Sequence, residues 1–299
     1  MITVDRLTKR YGAHLAVDDV SFRCEPGAVT GFLGPNGAGK STTLRMICGL
    51  APPSAGTATI NGVGYRELPN PGLAVGVLLD ASAQHVGRTG HETLAVAGQV
   101  LGVDRRMIRG RLDRVGLPPE AAKRRVGAYS LGMRQRLGLA NALLGDPAVL
   151  ILDEPANGLD PEGIYWMRGL LRDFADRGGT VLLSSHLLRE IEVIADHLVV
   201  IGRGRVVAQG SKDDLLGAAG VRVRGTDVQL LRDALHRAGI PTSDTPDGAL
   251  TAQADAEAVG QAAAAVGAVL TELRAANDGG LEEMFLQLTA APTEEGAAA

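Results

Sequence analysis

The sequence predicts an α/β protein with a larger domain over residues 1–215 and a small α+β domain over residues 216–290. Three observations carry this. A buried strand-like run at 29–33 and short, continuous apolar runs at 74–79, 149–152 and 180–183 alternate with helical stretches, as strands covered on both faces do. A glycine-rich turn lies between the first run and a helical stretch over 40–50. After about Gly210 the composition shifts, and VRVRG, DVQLLRDALHRAG, GALTA, DAEAVGQAAAAVG and AVLTELRA read as β-α-β-α-β.

The elements follow in order. Residues 29–33 predict a buried strand, and 40–50 the helix behind the glycine turn. From 90 to about 125 the chain is mostly helical and Arg-rich, with Arg105, Arg106, Arg109, Arg111, Arg114, Lys123, Arg124 and Arg125. Two readings fit this stretch: a solvated helical face, or a surface that meets a partner or anionic lipid headgroups. The run at 180–183 leads into SSHLLREIEVIA, a helix with serine as its cap. Residues 198–201 and 205–208 read as a terminal pair of strands. LEEMFLQL at 281–288 reads as a final amphipathic helix, and 291–299 as a disordered tail.

Composition narrows the function classes. Of the 299 residues 45% are hydrophobic but only 3% aromatic, so the cores must be built from Leu, Val, Ile and Ala. A net charge of −4 argues against a general nucleic-acid binder. Cys24 and Cys48 fit neither a disulfide framework nor a zinc spacing, as expected of a reduced cytoplasmic protein. No apolar run approaches the roughly 18–20 residues of a bilayer helix. MITVDRLTKRYG opens on a strand-like segment and lacks a leader pattern. Any membrane crossing is therefore expected from another chain.

Two motifs carry chemistry. Gly34, Pro35, Asn36, Gly37, Ala38, Gly39, Lys40 and Ser41 fit G-x-x-x-x-G-K-S, after a strand and at the start of a helix. Backbone N–H groups of such a loop surround phosphate oxygens, and the helix start adds partial positive charge. Lys40 is placed to bridge the β- and γ-phosphates, and Ser41 to ligate magnesium. The second motif is the run at 149–152 followed by Asp153 and Glu154. Asp153 is expected to hold magnesium at the end of the strand, and Glu154 to orient or deprotonate the attacking water.

GPNGAGKST, YSLGMRQR, ILDEPANGLDP and SSH, in this order and spacing, resemble the nucleotide-binding subunit of an ABC transporter over roughly residues 1–215. The whole resembles subunits of bacterial drug-resistance and antibiotic exporters whose permease is a separate chain. The resemblance implies a P-loop NTPase core of ABC type, with a mixed sheet, an antiparallel β subdomain and a helical subdomain at about 85–145. It implies ATP and Mg2+ as ligands, with Thr42 extending the phosphate loop. It also implies that Tyr11 stacks on adenine and that Ser130 and Gly132 contact the γ-phosphate held by a second ATP-binding subunit, a homodimer being expected. Asp160 falls in the loop 157–160 linking the two sites, although an Asn-Gly turn before a Pro-started helix explains that shape equally well. His186 matches the switch histidine at the γ-phosphate. The implied location is the cytoplasmic face of the plasma membrane, reached through the permease.

Two departures stand out. Leu131 and Met133 replace residues usual in the signature, where backbone contacts dominate. The family's magnesium- and water-contacting glutamine is replaced by Asp80, which ends an apolar run, with Gln84 nearby as the alternative. An importer ATPase and a soluble ABC ATPase acting on ribosomes or DNA are the competing readings. One glycine loop and one signature, with no sustained heptads between them, disfavour the latter.

Overall fold

Apolar residues recur on one side of ITVDRLTKRY, forming β1 (Ile2–Tyr11) with Ile2, Val4 and Leu7 turned inward. β2 (His14–Cys24) folds back antiparallel beside it. β3 (Val29–Leu33) is buried at every position and feeds the glycine turn and α1 (Lys40–Ile47). The helix is shorter than the expected 40–50 because Gly49 adopts a left-handed backbone (φ 65°) beyond its end. β4 (Ala55–Ile60) pairs with the other edge of β1, completing a three-stranded antiparallel sheet in the order β2-β1-β4.

A short α2 (Pro71–Ala74) leads into β5 (Val75–Leu78). The Arg-rich stretch is helical as expected, in α3 (Gly90–Leu101), α4 (Arg106–Arg114) and α5 (Pro119–Ala122). Thr89 and Glu92 form a reciprocal capping box at the start of α3, and Gly102 ends it in left-handed geometry. α6 (Leu131–Ala142) follows, capped by Ser130. Then come β6 (Val149–Asp153), α7 (Pro161–Asp176), β7 (Thr180–Ser185), α8 (Leu188–Ile194), β8 (His197–Gly202) and β9 (Arg205–Ser211).

The central sheet has the order β5-β6-β7-β3-β8-β9. Strands β5, β6, β7, β3 and β8 are parallel. β9 returns beside β8 through Arg203 and Gly204, both left-handed (φ 49° and 82°), a hairpin that makes the sheet mixed. Phe22 stacks on Phe32 at 5.3 Å, joining the antiparallel sheet to the central one in one core. β6, β7 and β3 lie side by side, so the segments leaving their C-terminal ends meet, where open α/β sheets bind ligands.

Residues 1–275 are described in this computed structural model, except 187, 218, 219 and 246. The helix expected at 281–288 and the tail at 291–299 lie outside the described residues. The chain divides into two compact units, Met1–Gln209 and Gly210–Ala299.

The second unit opens with α9 (Lys212–Gly217) and continues with β10 (Val221–Gly225), α10 (Val228–Arg237), β11 (Thr242–Asp244), β12 (Leu250–Ala252), α11 (Ala256–Ala265) and β13 (Leu270–Ala275). From β10 onward it is β-α-β-β-α-β rather than the expected β-α-β-α-β. The additional strand, β11, is three residues long and only partly buried, so no apolar run marks it in the sequence. The sheet is antiparallel in the order β11-β12-β10-β13. Val221 and Val223 join Leu231, Leu235 and Val259 in a separate small core.

Candidate nucleotide site

The glycine turn is fixed by close packing. Gly39 sits at φ 103°, and a Cβ there would lie 2.5 Å from the Ala16 carbonyl. A Cβ on Gly34 would lie 2.5 Å from the Ile201 carbonyl. Larger residues at either position would push the loop off the sheet. Gly34 and Ala38 are buried, whereas Pro35, Asn36 and Gly37 face outward. Lys40 is only 6% exposed, and its ammonium donates to the Gly34 carbonyl (2.6 Å) and the Pro35 carbonyl (3.3 Å). Burial lowers its pKa, opposed by the nearby Glu154 and Asp153. Ser41 is exposed and Thr42 half-buried in the first turn of α1.

Asp153 ends β6 and accepts a hydrogen bond from the Ser184 hydroxyl of the neighbouring β7. That hydroxyl in turn accepts from the Glu154 backbone N–H at 3.0 Å. Glu154 has φ 49°, a conformation that costs a non-glycine residue about 1–3 kcal/mol and persists only where its surroundings impose it. Here the chain turns out of the strand and brings Glu154 Oε1 within 3.9 Å of the Lys40 ammonium. Glu154 Oε2 meets the Nδ1 of His186 at 2.6 Å and accepts from its backbone N–H at 3.3 Å. The structure thus joins Lys40, Asp153, Glu154 and His186 in one cluster.

Ser130 caps α6, its hydroxyl accepting from the Met133 N–H at 3.2 Å. A Cβ on Gly132 would approach the Gly158 carbonyl to 2.9 Å, so this glycine lets α6 close on the loop before α7. Leu131, 45% exposed, packs beside Gly158. Asp160 caps α7, accepting from the Gly163 N–H at 2.8 Å. Tyr11 ends β1 half-exposed, with the Lys9 ammonium 4.9 Å from its ring centre.

Asp80 is exposed and accepts from both the backbone N–H (2.7 Å) and the hydroxyl (2.6 Å) of Ser82. These bonds, with a smaller contribution from Arg45, hold its pKa below the usual carboxylate value. Gln84 instead donates to the Arg134 carbonyl of α6 at 2.9 Å, and its Oε1 is buried without a partner. Among the described residues no group of three or more His, Cys, Asp or Glu forms a metal cluster, so Asp80 is not brought together with Asp153 and Glu154 in one.

A magnesium ion bound with a nucleotide does not need such a cluster. It favours one or two carboxylates plus hydroxyl, phosphate and water oxygens, and the exposed Ser41 hydroxyl and the Asp153 carboxylate are donors of that kind.

Two residues were not singled out from the sequence. Gln135, in the middle of α6 and buried, donates to the Glu154 main-chain carbonyl at 3.2 Å. Ser184 bridges Asp153 and Glu154. The available signals were an amide on the buried side of a helix and a serine ending an apolar strand.

Fold and loop together define a P-loop protein of the nucleotide-binding class. A family description, ABC transporter, matches residues 17–157, and a second, a domain of unknown function (DUF8746), matches 219–282. The bacitracin transport ATP-binding protein BcrA of Bacillus licheniformis is 40% identical over 218 residues, covering 72% of this chain and 71% of the relative. The Nod factor export ATP-binding protein I of Paraburkholderia xenovorans is 39% identical over 243 residues, covering 78% and 80%. Among solved structures, the dimeric bacterial ABC transporter cassette MJ0796 shares the fold with a TM-score of 0.66 at 22% identity, covering 71% of this chain and 98% of its own. The chain belongs to the ABC transporter family, among its ATP-binding proteins.

Proposed function

We propose that the chain binds and hydrolyses ATP as the motor subunit of an exporter of antibiotic-type compounds, working on a separate membrane permease. The observation that carries the reading is the convergence of Lys40 and His186 on the two carboxylate oxygens of Glu154, beside the glycine loop. Lys40 and the loop N–H groups bind the β- and γ-phosphates, aided by the start of α1. Glu154 accepts the proton of the attacking water, and His186 orients its carboxylate. Magnesium, held by Ser41 and Asp153, neutralises charge on the phosphates when bound. Asp80 is assigned the neighbouring water-contacting role. Tyr11 is assigned to the adenine.

The capped start of α6 is exposed at Ser130, and a helix N-terminus favours anions. It completes the site of a second copy, so the working unit is a dimer. The dimeric cassette with the same fold supports this arrangement. The export direction and substrate class draw on the relatives named for bacitracin transport and Nod factor export. No described helix is long and apolar enough to cross a membrane, which agrees with peripheral attachment to a permease at the cytoplasmic face.

The test is Glu154→Gln. It should retain ATP binding, lose about 10²–10⁴-fold in turnover, and accumulate a dimer with ATP in size-exclusion chromatography. A variant that stays monomeric with ATP overturns the shared-site model.

A further inference from the structure

The charge of the chain is unevenly distributed. Residues 85–145 hold eleven Lys and Arg against four Asp and Glu, a net of +7 in a chain whose total is −4. The nucleotide site uses none of the basic side chains of α4 and α5. Between the start of α3, α4 and α5 lies a groove of about 340 Å³. Its apolar lining is Leu112, Leu117, Pro119 and Ala122, its cationic lining is Arg109 and Lys123, and the His91 ring stands beside them. Asp113 is the one acidic side chain lining it.

Arg109 is exposed and has neither a hydrogen-bond nor an ion-pair partner among the described residues. Arg105, one helical turn before it, is likewise exposed and unpartnered, and the two stand on the same side of the helix. Lys123 meets only Glu120, at 3.4 Å between two largely exposed side chains, a pair worth little in water.

We infer that this face of the helical subdomain docks on anionic phospholipid at a membrane surface. The basic side chains receive headgroup phosphates, and the apolar groove takes the glycerol and upper acyl region between them. The unpartnered Arg105 and Arg109, with the weakly paired Lys123, supply the charge complementarity, since basic segments are drawn to anionic leaflets. The apolar lining selects an amphiphile over a nucleic-acid backbone, which would leave it idle, and no Phe, Tyr or Trp lines the groove as a base-stacking platform. Contact here would hold the subunit against the bilayer independently of nucleotide, so it stands apart from the ATPase reading.

The experiment is flotation of the purified chain, without permease or nucleotide, with vesicles of phosphatidylglycerol and phosphatidylcholine against phosphatidylcholine alone. The chain should float with the anionic vesicles only and be released by raised salt. Arg109→Glu with Lys123→Glu should weaken partitioning about tenfold or more, each basic residue near the surface contributing roughly a fivefold factor. Arg23→Glu, an exposed basic residue on β2, should leave it unchanged. If the reversed pair fails to fold, judged by Trp166 fluorescence, Arg109→Gln with Lys123→Gln carries the same reading with a smaller loss. Absence of binding, equal binding to neutral vesicles, or binding that ignores both double variants overturns the inference.

Discussion

The side-chain amide of Gln135 donates to the main-chain carbonyl of Glu154 across 3.2 Å, tying the middle of α6 to the left-handed residue that follows β6. From the other side, Ser184 accepts from the Glu154 N–H. Both backbone polar groups of the proposed base are therefore held by side chains from neighbouring elements. Gln135→Leu should leave nucleotide affinity nearly unchanged and lower kcat. Loss of about an ångström of positioning can cost ~10²-fold in rate. Parallel calorimetry and steady-state turnover check this; a matching loss in affinity would mean that Gln135 acts on binding instead.

Lys40 is buried with its ammonium on two loop carbonyls and near Glu154. Such a cation is costly to keep in place and is justified by a polyanion beside it. Truncating one partner of a buried charge pair costs about 2–5 kcal/mol, a ~30-fold to several-thousand-fold effect on affinity. Lys40→Ala should show a loss of that size for ATP by calorimetry. Unchanged affinity would remove Lys40 from the phosphate site.

Asp80 and Gln84 compete for one role. The Asp80 pKa is held low by Ser82, so the carboxylate is ionised at neutral pH and acts as an acceptor rather than an acid. Gln84 is engaged with the backbone of α6. Asp80→Ala should therefore impair magnesium-dependent turnover more than Gln84→Ala, measured as turnover across a magnesium titration. The reverse order would move the role to Gln84.

Much of this was legible because the signals are local. Val29–Leu33 and Val149–Asp153 are short buried strands with functional residues at or just beyond their ends, and Gly39 and Lys40 sit within one short motif. What was not legible depends on packing between distant segments. Gln135 and Glu154 are brought together by a hydrogen bond between α6 and the turn after β6, which no spacing reveals. β11 escaped because an edge strand of three residues carries no alternation long enough to read. The turn of Asp80 onto Ser82 follows from a local side-chain-to-backbone bond that competes with any role at a distance.

In the second unit, β10 sends Val221 and Val223 into the core and Arg222 and Arg224 to the opposite face. There Arg222 and Arg224 both pair with Asp247 and with Glu272 of β13. Arg222, with the Thr245 hydroxyl, holds the Asp247 pKa far below the usual carboxylate value, and Arg274 and Arg222 lower that of Glu272. A carboxylate depressed on folding stabilises the folded state above its unfolded pKa, near about 4, and loses that contribution as pH falls toward its folded value. This unit should accordingly weaken below about pH 4. The chain has one tryptophan, Trp166, in the first unit. A melting transition seen by circular dichroism without a fluorescence counterpart therefore reports the second. Asp247→Asn should lower that transition at neutral pH and flatten its fall in acid. An unaltered pH profile would show that the ion pairs on this sheet face are too well solvated to contribute.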